Sequence, residues 1–256
     1  MNLLFLMSQG FMKQISDLIY ESDIVLEVLD ARFPDRTRNK QIEEKIVRQE
    51  KTLIIVLNKT DLVSKNKIEK VKKELIEKEK LRVVFVSAKE KNGIRLLKRE
   101  ISIAKGKKTE CIIGLLGYPN SGKSTLINAL SGKGRGKVRT SKKAGFTRGL
   151  QRIKINDGVY MIDAPGIIPY GEKDEFELFL VGAKNANQLK DIETVAVKLI
   201  AELKETFQEK FETKEDDEDT ILEEIGQKKK WFKSGGKVDT QKAAREILEM
   251  YQRNEF

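Results

Sequence analysis

The chain reads as an α/β fold. A mostly parallel, doubly wound sheet with one antiparallel edge strand is predicted over residues 1–170, and a small all-helical domain over residues 171–256. Three observations predict this. Short, continuous apolar runs alternate with helical patterns in the first part, as expected for parallel strands covered on both faces. Asp157-Gly158 joins two further strand-like runs, a hairpin signal that interrupts the parallel pattern. Beyond residue 170 the strand pattern stops and apolar residues recur at helical spacing.

Each element follows in order. Runs 24–29, 53–57, 83–86 and 112–116 end at Asp30, Asn58, Ser87 and Gly117. Helical patterns over 41–48, 68–78 and 94–104 supply the crossovers between them. Runs 150–155 and 159–162 flank Asn156-Asp157-Gly158 and form the hairpin. In the second part, Ile192, Val195, Leu199, Ile200, Leu203, Phe207 and Phe211 mark one apolar helical face. Residues 217–220 read as an acidic turn with an N-cap, and 221–230 as a helix. Ser234-Gly235-Gly236 is a breaker, and Asp239 or Thr240 caps a last helix to about Tyr251. Ligands of open α/β sheets gather where strands end, so the residues closing each run carry the functional reading.

Composition narrows the classes. A single cysteine, Cys111, forbids an intrachain disulfide and fits a reducing compartment. There is no histidine, which excludes serine–histidine catalysis and histidine-ligated metals. The apolar start at 3–7 is too short for a secretory segment, and no run approaches the roughly twenty residues of a membrane span. A cytoplasmic protein without membrane association is expected. The net charge of +10 suits a polyanionic partner, or equally a lysine-rich surface with none.

Two motifs carry nucleotide chemistry. Gly117-Tyr118-Pro119-Asn120-Ser121-Gly122-Lys123-Ser124 is a phosphate-binding loop that follows a strand and opens a helix. Its glycines let backbone N–H groups close around phosphates, with Pro119, Asn120, Ser121, Gly122 and Thr125 completing the cradle. Lys123 would reach the β- and γ-phosphates, and Ser124 would offer its hydroxyl to Mg2+. Asn58-Lys59-Thr60-Asp61 is a guanine-specificity motif. The Asp61 carboxylate can accept from guanine N1–H and the 2-amino group, a donor pair adenine lacks. Lys59 would lay its stem along the base, and Asn58 would tie the motif to the phosphate loop.

Weaker signals gain meaning from their order. Ser87-Ala88-Lys89 closes the third run and offers a backbone N–H to guanine O6. Asp163-Ala164-Pro165-Gly166 closes the hairpin; Asp163 would hold Mg2+ through water and the Gly166 amide would sense the γ-phosphate. Thr147 is the leading candidate for a switch threonine on Mg2+, with Thr140 the alternative. Lys123, Thr147 and Gly166 are thus the residues expected nearest the transferring phosphoryl group. Residues 132–154 hold nine basic residues and no acid, among them Lys133, Arg135, Lys137, Arg139, Lys142 and Lys143. That imbalance favours RNA-phosphate contact over a merely solvated loop.

The guanine motif here precedes the phosphate loop, the reverse of the ordinary order, so the sequence predicts a circularly permuted P-loop GTPase domain. The order NKTD, SAK, P-loop, threonine, DAPG resembles the permuted GTPases of the YlqF/YawG type, and more closely the ribosome biogenesis GTPase A group. Asp30-Ala31-Arg32-Phe33-Pro34 with Arg38-Asn39 resembles that family's DARxP…RN segment. Glu223-Glu224-Ile225-Gly226 and Ser234-Gly235-Gly236-Lys237-Val238-Asp239 resemble its C-terminal helical domain. The resemblance implies GTP and GDP binding, slow hydrolysis, and a role on the large ribosomal subunit or its RNA, with the C-terminal domain helping to dock; DNA is not an expected partner. Ile167 stands where many GTPases carry a water-orienting glutamine. Asn120 matches a P-loop asparagine that binds K+ in some GTPases. The alternatives are an RNA-binding assembly scaffold in which nucleotide is structural, or a GTPase acting on another RNA.

Overall fold

The computed structural model describes residues 3–132, 140–141, 152–163, 174–182 and 184–256. It divides into two compact units, Met1–Tyr170 and Gly171–Phe256.

Among the described residues, seven strands build the sheet of the first unit: β1 (Ile24–Asp30), β2 (Thr52–Asn58), β3 (Val83–Phe85), β4 (Cys111–Gly117), β5 (Thr140–Ser141), β6 (Arg152–Asn156) and β7 (Val159–Asp163). Their order is β3-β2-β1-β4-β7-β6-β5. The first five of that order run parallel. β6 returns antiparallel to β7, and the two-residue β5 pairs antiparallel to β6. The edge therefore carries one short strand more than the hairpin predicts, drawn from the basic stretch.

Alternation along β1 shows why continuous apolar runs are needed. Ile24, Leu26 and Val28 pack with Leu97 and Ile101 of α5 (Ile94–Lys105) and with Leu126, Ile127 and Leu130 of α6 (Lys123–Ser131). Val25, on the opposite face, meets Ile15, Leu18 and Ile19 of α1 (Leu3–Glu21) and Ile42 and Ile46 of α3 (Lys40–Arg48). Each such side chain contributes about 1.5–3 kcal/mol of burial. Between β1 and α3 lies the single turn α2 (Pro34–Thr37). α4 (Lys65–Lys72) continues as a π turn over Lys73–Lys78 and delivers Leu75 to Leu29 and Leu57.

Helix α1 is absent from the sequence expectation, although its buried residues follow the i, i+3, i+4 rule. It seats closely on β4 at Gly114, where a Cβ would lie 2.4 Å from Ser22 Oγ and 2.5 Å from Leu18 Cδ2.

The second unit is helical: α7 (Glu175–Leu180), α8 (Ile192–Glu202), α9 (Lys204–Phe211), α10 (Glu218–Lys228) and α11 (Thr240–Gln252). Aspartates start four of these helices. Asp174, Asp191, Asp217 and Asp239 accept from the N–H groups of Phe176, Thr194, Thr220 and Lys242. The apolar face expected over 192–211 is split at Leu203, which leaves helical geometry at φ −120°. Phe207 is fully buried, its ring centroid 4.6 Å from Phe256 and 5.9 Å from Phe211.

Candidate nucleotide site

The carboxyl ends of β2, β3, β4 and β7 form one rim, and the sequence motifs close those strands. β4 runs into the phosphate loop. Gly117 takes φ 151°, and Asn120 adopts the left-handed region at φ 57°, which asparagine tolerates better than most residues. Pro119 is half-buried and Asn120 exposed. Ser121 is buried, and among the described residues its hydroxyl meets no hydrogen-bond partner. Lys123 opens α6 and donates from Nζ to the carbonyls of Gly117 and Tyr118, both at 2.9 Å. Ser124 and Thr125 follow, exposed, in a first turn without an acidic residue. The amides of a helix's first turn have no intrahelical acceptor and carry the positive end of its dipole, so this end favours an anion.

Asn58 fastens the halves of the rim together. Its side chain is buried at the end of β2. Nδ2 donates to the Ser121 carbonyl at 2.9 Å, and Oδ1 accepts the Ala88 N–H at 3.0 Å. The Ala88 amide, a candidate reader of guanine O6, is thus turned to Asn58. Gly122 is bare for this contact: a Cβ there would lie 2.2 Å from Asn58 Nδ2, and its φ of 94° disfavours any side chain. The Ser87 hydroxyl accepts the Glu90 N–H at 3.2 Å, which shapes the loop. Ser87 and Ala88 are buried, and Lys89 is exposed.

On the base side, Asp61 lies exposed in the short turn Thr60–Leu62. Lys59 takes φ 65° and sends its ammonium to Asp30 Oδ2 at 2.9 Å. The same carboxylate receives the Arg32 backbone N–H at 3.0 Å, Arg32 Nε at 3.1 Å and Arg32 Nη2 at 2.8 Å. Burial alone would favour the neutral acid, but the Arg32 and Lys59 cations hold the Asp30 carboxyl far below the usual carboxylate range. Burial lowers the Lys59 ammonium from its ordinary value, and the Asp30 charge opposes that shift.

A neighbouring cluster escapes the sequence reading, which takes Glu27 as part of an apolar run. Glu27 is buried on the face of β1 that meets α3, and accepts the Asn39 N–H at 2.9 Å. Burial, then the nearby Glu43 charge, pushes its carboxyl well above the ordinary range. Arg38 clamps Glu43 at 2.5 and 2.7 Å and reaches Glu79 at 2.7 Å.

Other predicted site residues are placed only in part. Asp163 closes β7, its backbone beside Leu115 of β4 two positions before the phosphate loop; its side chain lies outside the described residues. Thr140 sits in β5 opposite Ile153, its side chain likewise outside. Thr147, Gly166, Lys133, Arg135, Lys137, Arg139, Lys142 and Lys143 all lie outside the described residues. Of the expected Mg2+ ligands, Ser124 is therefore the one whose side chain is described, and it is accessible at the phosphate end.

Comparison with known proteins agrees with this layout. A family model described as 50S ribosome-binding GTPase matches residues 112–232, which begin inside the phosphate-loop strand and leave the guanine motif upstream. An uncharacterized GTP-binding protein, MJ1464, of Methanocaldococcus jannaschii is 38% identical over 250 residues, covering 94% of this chain and 64% of that protein. Ribosome biogenesis GTPase A of Bacillus licheniformis is 28% identical over 252 residues, covering 92% and 88%. The chain spans 64%, 52% and 41% of the length of the first three curated relatives it matches. The GDP-bound structure of TM YlqF superposes with TM-score 0.68 at 25% identity, over 94% of this chain and 95% of that one. The chain is a homologue of the ribosome biogenesis GTPase A and YlqF proteins and shares their circularly permuted P-loop GTPase architecture.

Proposed function

We propose that this chain is a guanine-nucleotide switch. It binds GTP and GDP with Mg2+, hydrolyses GTP slowly to GDP and phosphate, and engages the large ribosomal subunit or its RNA according to the nucleotide bound. The carrying observation is the Asn58 side chain, which joins the base-reading and phosphate-binding loops through two buried hydrogen bonds. A solvated turn has no use for such a link; a site that must grip both ends of one nucleotide does.

The residues divide the work. Asp61 reads guanine together with the Lys89 amide of the 87–89 loop, because the Ser87 and Ala88 amides donate to Asn92 and Asn58. The phosphate-loop amides and Lys123 balance charge on the transferring phosphoryl group, and the Gly166 amide senses it. Mg2+, when bound, neutralises charge between the β- and γ-phosphates; Ser124 and Thr147 would hold it directly and Asp163 through water. With Ile167 after the DAPG motif, no side chain there polarises the attacking water, so intrinsic hydrolysis is slow and completed by the particle. Asn120 is the candidate K+ ligand; equal hydrolysis rates in potassium and sodium buffers would reject that role.

Docking is assigned to residues 171–256. Between α10 and α11, Phe232 pairs with Val238 in an isolated bridge that turns through Ser234-Gly235-Gly236. Residues 227–238 contain five lysines and no acid, and Phe232 is 50% exposed at the bridge. An open aromatic face among cations suits unpaired bases and their phosphates. The reading is tested by GTP hydrolysis in potassium buffer with and without purified large ribosomal subunits. Strong stimulation is expected. None, despite demonstrated GTP binding, would move the assignment to a scaffold or to another RNA.

A further inference from the structure

We infer that Asp30 is a positioning residue for guanine recognition, its carboxylate holding the Lys59 ammonium so that the lysine stem is set before nucleotide arrives. This rests on the nucleotide reading above and extends it to a residue outside the guanine and phosphate motifs. β1 lies between β2, which ends in the guanine motif, and β4, which ends in the phosphate loop. Its last residue, Asp30, stands in register with Asn58. The backbone locks that placement: the Ala31 N–H donates to the Asn58 carbonyl at 2.8 Å, and the Asp30 N–H to Thr37 Oγ1 at 3.1 Å.

The side-chain geometry is saturated. A carboxylate offers about four lone-pair positions, and here four donors fill them. Oδ1 takes the Arg32 N–H and Nε, while Oδ2 takes Arg32 Nη2 and Lys59 Nζ. Arg32 and Asp30 are each 4% exposed. Lys59 is thereby held at both ends, by a left-handed backbone at φ 65° and by the carboxylate at its tip. Stability alone accounts poorly for this arrangement, because a buried ion pair recovers little beyond its own desolvation. A lysine that must lie along a base gains from it, since a stem already ordered loses no rotamer freedom on binding.

The test measures mant-GDP affinity for the full chain, for Asp30→Asn, for Lys59→Met and for the double variant, with thermal melts as the folding control. Asp30→Asn is expected to weaken GDP and GTP alike by about tenfold, the scale of one long side chain left free to move. The preference for GDP over IDP should stay as in the parent, because Asp61 reads the 2-amino group. In the Lys59→Met background the same change should cost little further affinity. Unaltered affinity in Asp30→Asn, or an undiminished loss when Lys59 is already methionine, overturns the inference while leaving the nucleotide reading intact. Failure of the parent chain to bind mant-GDP sinks both. Should Asp30→Asn alone not fold, Asp30→Asn with Arg32→Met removes the surplus buried cation and carries the same comparison.

Discussion

Replacing Asn58 by alanine tests the site where its two halves meet. The side chain is 3% exposed, and its two hydrogen bonds, 2.9 Å to the Ser121 carbonyl and 3.0 Å from the Ala88 amide, are both buried. Removing it strips one donor and one acceptor of their partner. Each buried polar group left unmet costs about 1–3 kcal/mol. A water entering the vacated space recovers part of that, so about 2–3 kcal/mol in total is expected. If the phosphate loop relaxes in the free protein and must be re-formed on binding, the loss appears as a rise in GDP Kd of about 30- to 150-fold. Fluorescent GDP titration and thermal melting, run on the same preparations, separate the terms. Most of the change should appear in Kd, with the GDP-induced rise in Tm much reduced. A Kd within threefold of the parent would refute the reasoning, because the two loops would then hold their shape without the bridge.

Three further outcomes are expected. Asp61→Asn should move preference from guanine toward xanthine nucleotides, read by competition against mant-GDP; unchanged guanine preference would remove the base-recognition argument. Glu27 titrates higher in the folded chain than in the unfolded one. Its contribution is therefore full below the unfolded carboxyl value of about 4.3 and is lost as pH rises through the raised folded value. Glu27→Gln, which keeps the acceptor for Asn39 and needs no ionisation, should melt higher than the parent at pH 8, with the gap closing near pH 4; a pH-independent gap would contradict this. Phe232→Ala combined with Lys233→Ser and Lys237→Ser should weaken binding to ribosomal RNA and flatten its salt dependence, with GDP affinity unchanged; RNA binding identical to the parent would remove the hairpin from the docking surface.

Legibility in the sequence follows the range of the force that decides each feature. Four parallel strands and the hairpin are visible because burial on both faces writes continuous apolar runs, and because Asp157-Gly158 is a local turn signal. The caps Asp217 and Asp239 are local too. Helix α1 carries its pattern in Ile15, Leu18 and Ile19, yet its apolar beginning draws the eye to targeting rather than packing. The break at Leu203 and the two-residue strand β5 depend on neighbours that no window contains. Glu27 hides inside an apolar run because its partners, Asn39 and Glu43, arrive from the next helix. Motif spacing singles out Asn58, Lys59 and Lys123 as candidate site residues. That Lys59 ends on Asp30 follows only from the register of β1 against β2.

The turn from β6 into β7 has a consequence for solubility. There the β6–β7 ladder breaks register between Lys154 and Asn156. A bare edge is a template onto which another chain can zip. At this end of β6 Lys154 is half-exposed and paired with Asp157 at the turn, beside that irregularity. Charge and irregular pleating on an open edge discourage fibril-like stacking. Neutralising Lys154 would therefore weigh on aggregation before it weighs on folding.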